Sequence, residues 1–167
     1  MSKEERFRQE LERLDSAVEY FKKKGLVIEV CGGVKGDSLI IDFMIGELNF
    51  PDSLIATGVS NFAVIPEEQF EKLEKSGIIT DVADRKFLDP YSGHSLPGKV
   101  GKTNIEVKGI MGRKKYQDVS VVGVKFHPKY KWGSILGKEF AFSFDETEMG
   151  WPGDPVIGFY GCRKIKP

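Results

Sequence analysis

The sequence predicts a mainly β domain, a closed sheet or barrel, with an amphipathic helix at its amino end and one short helix inside. Three observations predict it. Residues 1–25 carry an apolar stripe of helical period at Phe7, Leu11, Leu14, Val18 and Phe21. From residue 26 onward the chain breaks into short β-branched and aromatic runs set apart by glycine, proline and polar turn residues. Among those runs, "PEEQFEKLEKSG" at residues 66–77 returns to helical spacing through Phe70 and Leu73.

Each element has its own reason. In the first helix, acidic residues near the start and Lys22, Lys23 and Lys24 near the end complement the macrodipole, and Gly25 can terminate it. Its stripe suits docking on the same domain, while its heptad spacing offers a coiled-coil-like contact with a second subunit. "LVIEV" and "SLIIDFMI" read as strands joined by the turn material "CGGVKGD". "NFPD" sets off "SLIA", and "NFAVI" follows a turn at Thr57-Gly58. Pro66 suits the first turn of the inner helix, Glu67 and Glu68 its amino end, and Gly77 its close. "SGHSLPGKVG", residues 92–101, reads as a loop or hairpin tip. "TNIEVKGI", "DVSVVGVKF", "SILG" and "EFAFSF" resume strand character, with "GRKKYQ" as a hairpin between the first two. "DETEMGWPGD" reads as a polar link to "PVIGFYG". The expected division is a helix over 1–25 and a single β-rich domain over 26–167.

Composition narrows the function classes. A chain of 167 residues can bury a sizeable core, so neither metal nor disulfide is needed to hold it. Lys+Arg and Asp+Glu number 25 each, and this balance argues against a nucleic-acid partner. The runs "FKKKG" and "GRKKY" read as solvated turns. Cys31 and Cys162 lie far apart without a CxxC pattern, which argues against a zinc site; two reduced thiols are the plainer reading and a long-range disulfide the alternative. His94 and His127 have no acid nearby at metal or nucleophile-activating spacing. No cofactor and no metal are expected. The charged amino terminus lacks a signal-like apolar core, and no segment approaches the roughly 20 apolar residues of a membrane span. The expectation is a cytoplasmic protein with no membrane partner. Ser60 lacks a Gly-x-Ser-x-Gly setting, and "CGGVKGDS" lacks phosphate-loop spacing. Tyr130, Trp132 and Trp151 read as local packing.

One stretch carries more. "FMIGELNFPDSLIATGVSNFAVIPEEQFEKL" resembles the first half of a retropepsin-like aspartic peptidase. That family places Asp-Thr/Ser-Gly after an apolar strand, then a small residue, a hydroxyl residue and another strand. Leu54-Ile55 match the apolar pair, Thr57-Gly58 the end of the turn, and Ser60 the hydroxyl position; Val59 is larger than the alanine often found there. Ile135-Leu136-Gly137 matches the family's second landmark, in the expected order, and the resemblance spans 42–144. It implies an acid-protease barrel and a homodimer that joins two catalytic turns at its symmetry axis, braced by Thr57. It also implies a flap at residues 92–101, with Ser60, His94, Leu96, Gly98, Ile135 and Gly137 toward a peptide or protein substrate.

The position of the catalytic aspartate holds Ala56. An aspartic peptidase sets two carboxylates about 3 Å apart to share one proton, one activating water and the other donating to the carbonyl. A methyl group does neither, and in a symmetric dimer one substitution removes both acids. Neither Asp42 nor Asp52 is followed by Thr/Ser-Gly, so neither replaces it. The implied function is an aspartic endopeptidase inactive in this chain, through engineered replacement or natural loss. Otherwise Thr57-Gly58 is a plain β-turn, with Gly58 supplying a backbone angle other residues avoid.

The last third offers an alternative. Trp132-Gly133, Phe140 and the run 156–161 are similar to the later strands of jacalin-like lectins. That resemblance implies a carbohydrate-binding module. The family's sugar loop places aspartate four residues after the final glycine, where this chain has Ile165. A non-catalytic interaction domain, assembling through the first helix, is the third reading.

Overall fold

In the computed structural model, residues 2–89, 92–127 and 133–165 are described. Helix α1, Lys3–Lys23, begins with a capping box: the Glu5 N–H donates to Ser2 Oγ at 3.1 Å, and the Ser2 N–H to the Glu5 carboxylate at 3.4 Å. Gly25 turns the chain out of the helix at φ 75°. The expected stripe divides. Ala17 and Phe21 are buried with Leu26, Cys31, Tyr160 and Cys162, whereas Phe7, Leu11 and Val18 stay exposed.

Two tight hairpins follow. Strands β1 (Leu26–Lys35), β2 (Ser38–Ile45) and β3 (Leu48–Ile55) are joined by two-residue turns at Gly36-Asp37 and Gly46-Glu47, with both glycines at positive φ. "CGGV" and "NFPD" are therefore strand rather than turn material. After β4 (Ala63–Pro66) comes α2 (Glu67–Lys75), which buries Phe70 and Leu73 as its spacing required. Then come β5 (Thr80–Leu88), β6 (Ser95–Lys108) and β7 (Arg113–Val124), with β8 (Ile135–Leu136) and a four-residue helix α3 (Lys138–Ala141) beyond. Strands β9 (Glu146–Gly150) and β10 (Gly158–Lys164) close the order.

The sheet runs β5-β6-β7-β4-β8-β3-β2-β1-β10-β9, and an added β2–β6 pairing joins the strands from β6 to β2 into a ring. The chain is thus mainly β with a helix at its amino end, as its patterning predicts. One core cluster holds Phe43 and Phe50, stacked at 4.8 Å, together with Phe62, Phe140 and Phe159.

Several expected boundaries move. "EFAFSF" is not a strand: Lys138–Ala141 forms α3, a second inner helix where one was expected, because the chain must turn sharply after Gly137. Residues 92–101 are not all loop, since Ser95 already pairs with Leu88 in β6. "DETEMG" ends in strand β9 through its pairing with β10. Strand β5 has little sequence signal, being polar and mostly exposed; its partner β6 holds it.

Candidate functional site

Strand β3 ends in the ring at Ile55, and the Thr57-Gly58 turn carries the chain round to β4. Sequence dictates the clamp on this turn. Leu54 and Ile55 pair in parallel with Ile135 and Leu136 of β8. The Ala56 N–H donates to the Leu136 carbonyl at 2.9 Å, and the Lys138 N–H to that of Val59 at 2.7 Å. The Gly137 N–H donates to the Phe62 carbonyl at 2.8 Å. A Cβ on Gly137 would stand 2.1 Å from the Asn61 carbonyl oxygen and 2.6 Å from that of Val59. Only glycine permits this crossing. Below the turn, the buried hydroxyls of Ser53 and Ser134 lie 2.5 Å apart, and Ser53 also donates to the Phe50 carbonyl at 2.9 Å.

Ala56 is half-buried, and it packs on an apolar cluster of Leu54, Val59, Val64, Phe87, Val122, Val124 and Ile135, with Leu96 at its edge. Phe87 and Leu96 are opposite each other in the β5–β6 hairpin, so that hairpin shares its packing with the turn. Beside them is a cleft of about 230 Å³ lined by Gly58, Val59, Ser60 and Asn61 from the turn, by residues 85–88 of β5 and by Val122. Arg85 and Lys86 give it positive charge, and among the described residues no carboxylate, thiol or imidazole lines it. The Ser60 hydroxyl has no base beside it among these lining residues.

The structure thus unites Ala56, Leu96 and Ile135 in one cluster, Gly58 and Ser60 in one cleft, and Gly137 under the turn. Thr57 and Gly58 are exposed. Gly58 has no positive φ, and a Cβ there would meet nothing within 4 Å, which corrects the expectation of a special backbone angle. Two expected site residues, His94 and Gly98, belong neither to the cluster, nor to the cleft lining, nor to the clamped turn. Gly98 lies within β6, where a Cβ would approach the Gly123 carbonyl at 2.8 Å; its role is strand packing. His94 closes the hairpin tip with its backbone, accepting from the Asp89 N–H at 2.9 Å, and its side chain is exposed. Ser92 Oγ donates to the buried Asp89 carboxylate at 2.9 Å in the same tip. Tyr130 and Trp132 lie outside the described residues.

Other chemistry-bearing residues lie elsewhere. Asp42 accepts from the Asp52 N–H at 2.7 Å, and both line a separate cavity of about 190 Å³ with Arg6, Glu10 and Lys108. Cys31 and Cys162 are free and buried, and burial pushes both thiols up to about 12. Among the described residues no group of His, Cys, Asp and Glu could hold a metal, and no helix is long and apolar enough to cross a membrane. Sequence reasoning missed the cleft wall at 85–88; its one signal was the apolar pair Phe87-Leu88 beside a turn-forming Asp-Pro. Comparison with protein-family models, with curated proteins and with solved structures gives no match.

Proposed function

We propose that this chain is a retropepsin-like domain that binds an extended peptide without cleaving it, Ala56 standing at the position of the family's aspartate. The observation that carries this reading is the parallel pairing of its two landmarks. Leu54-Ile55 and Ile135-Leu136 pair at a separation of 81 residues in sequence, yet they run side by side and grip the turn through Ala56 and Gly137. A plain β-turn needs no such clamp. The β5–β6 hairpin supports a flap, since Phe87 and Leu96 pack on the cluster that receives the Ala56 methyl. Exposed Thr57 and Gly58 support a homodimer joined turn to turn, because nothing inside the chain requires glycine at 58. The carbohydrate-binding reading has no comparable support: Phe140, which it places on a strand, lies in helix α3.

The test is Ala56→Asp. In a turn-to-turn dimer, two half-buried carboxylates would face each other, and their repulsion would hold one proton between them. The variant is expected to cut a denatured protein mixture between about pH 4 and 7, the range of such a pair, and a transition-state-mimicking inhibitor of aspartic peptidases blocks the cleavage. The unsubstituted chain shows no cleavage. A folded Ala56→Asp variant that cuts nothing across that range overturns the reading.

A further inference from the structure

We infer that the outer edge of α1 is a self-association surface on which a second copy of the same helix lies antiparallel. Phe7, Leu11 and Val18 are 58%, 42% and 38% exposed, although the rest of the stripe is docked. At 3.6 residues per turn these three lie within about 40° of one another, so they form a seam rather than scattered contacts. Ala17 and Phe21 hold one flank of that seam against β1 and β10. Arg8 and Asp15 stand on the other flank, exposed.

The occupant follows from the spacing and the charge. Heptad positions let two antiparallel copies set Phe7 against Val18 and Leu11 against the outer edge of Leu14, which is half-buried on the chain's own core, and the same layers repeat in reverse. That register brings Arg8 of each copy beside Asp15 of the other, giving two opposite-charge pairs from one self-complementary patch. It also carries the acidic first turn, Glu4 and Glu5, toward the other copy's Lys22 and Lys23, with the helix dipoles opposed. A parallel pair instead sets Glu10 beside Asp15 of its mate, like against like. Arg6 does not compete for the seam: it faces Glu10 at 3.7 Å, over the cavity beneath the helix. This surface is separate from the Thr57-Gly58 turn and does not depend on the peptidase reading.

Charge reversal tests it. Sedimentation over a concentration series should show the mass of Arg8→Asp, and separately of Asp15→Arg, falling at least twofold where the unsubstituted chain is associated. The double variant R8D/D15R should regain the original mass. Within one helix these residues are seven apart and do not face as i,i+4 partners, so recovery reports contact between copies. Far-ultraviolet circular dichroism confirms that each variant keeps its helix. Single variants that sediment like the parent, or a double variant that stays dissociated, overturn the proposal. Thr57→Val probes the turn-to-turn contact independently, so the two readings fail separately.

Discussion

Gly137 and Gly58 lie within a few ångströms of chain from the same turn and serve different ends. At Gly137 the backbone of residues 59–61, between β3 and β4, occupies the space a Cβ would need, and it cannot swing aside. Gly137→Ala should therefore cost about 3 kcal/mol or more, the upper range of overpacking, read as a lower urea midpoint with the m-value unchanged. At Gly58 the space is open and the backbone is ordinary. Gly58→Ala should leave folding stability within about 1 kcal/mol. Under the proposed function it should weaken turn-to-turn association roughly tenfold, about 1.4 kcal/mol, because the added methyl meets a partner. Unchanged association would remove Gly58 from the interface. Ser53 offers a third check: Ser53→Ala strands the buried Ser134 hydroxyl and should cost about 1–3 kcal/mol in the same denaturation experiment.

At the scale of elements, the β5–β6 hairpin and α1 are each fixed by only part of their length. Of β5, Phe87 is buried, Val82 half-buried and the rest exposed, so pairing with β6 and one aromatic anchor hold the strand. Phe87→Ala should cost about 3 kcal/mol, near the low end for a buried phenylalanine. Amide exchange in β5 should accelerate more than in β3 and β8, because β5 peels from β6 before the ring opens. Equal acceleration everywhere would mean that Phe87 belongs to the global core. The hairpin was illegible in advance for the same reason: "TDVADRKFL" has little apolar alternation, and its strand identity comes from β6. Helix α1 was legible, since its stripe, acidic start and basic end are all local. Which part of the stripe docks was not, because that depends on where Tyr160 and Cys162 arrive from the far end of the chain.

For the molecule as a whole, alkali is the expected weak point. Burial pushes the pKa values of Cys31, Cys162 and Tyr116 up to about 12, and raises that of Tyr160 further. Each group favours its neutral form in the folded chain, whereas an unfolded thiol ionises near 9.0. The stability they contribute is complete below about pH 9 and is lost as pH rises through 12. Urea midpoints should hold level from pH 7 to 8.5 and decline steadily by pH 11. The same burial predicts that neither thiol reacts with a disulfide reagent at pH 8 until the chain is unfolded, when both do. Rapid modification of the folded protein would contradict the enclosed β1–β10 seam.

The sequence by itself determined the β-rich class, the extent of α1, the burial of Phe70 and Leu73 on α2, and the turn that ends β3. Each of these rests on local chemistry: periodicity, caps and residues tolerant of tight turns. It also marked Leu54-Ile55 and Ile135-Leu136 as a pair through resemblance. Only the tertiary structure decided that those strands touch, that Gly137 exists for a backbone crossing, and that the cleft takes its cationic wall from residues 85–88. Parallel pairing and cleft walls join residues far apart in the chain, and no local pattern encodes which distant segment will supply the missing hydrogen bonds.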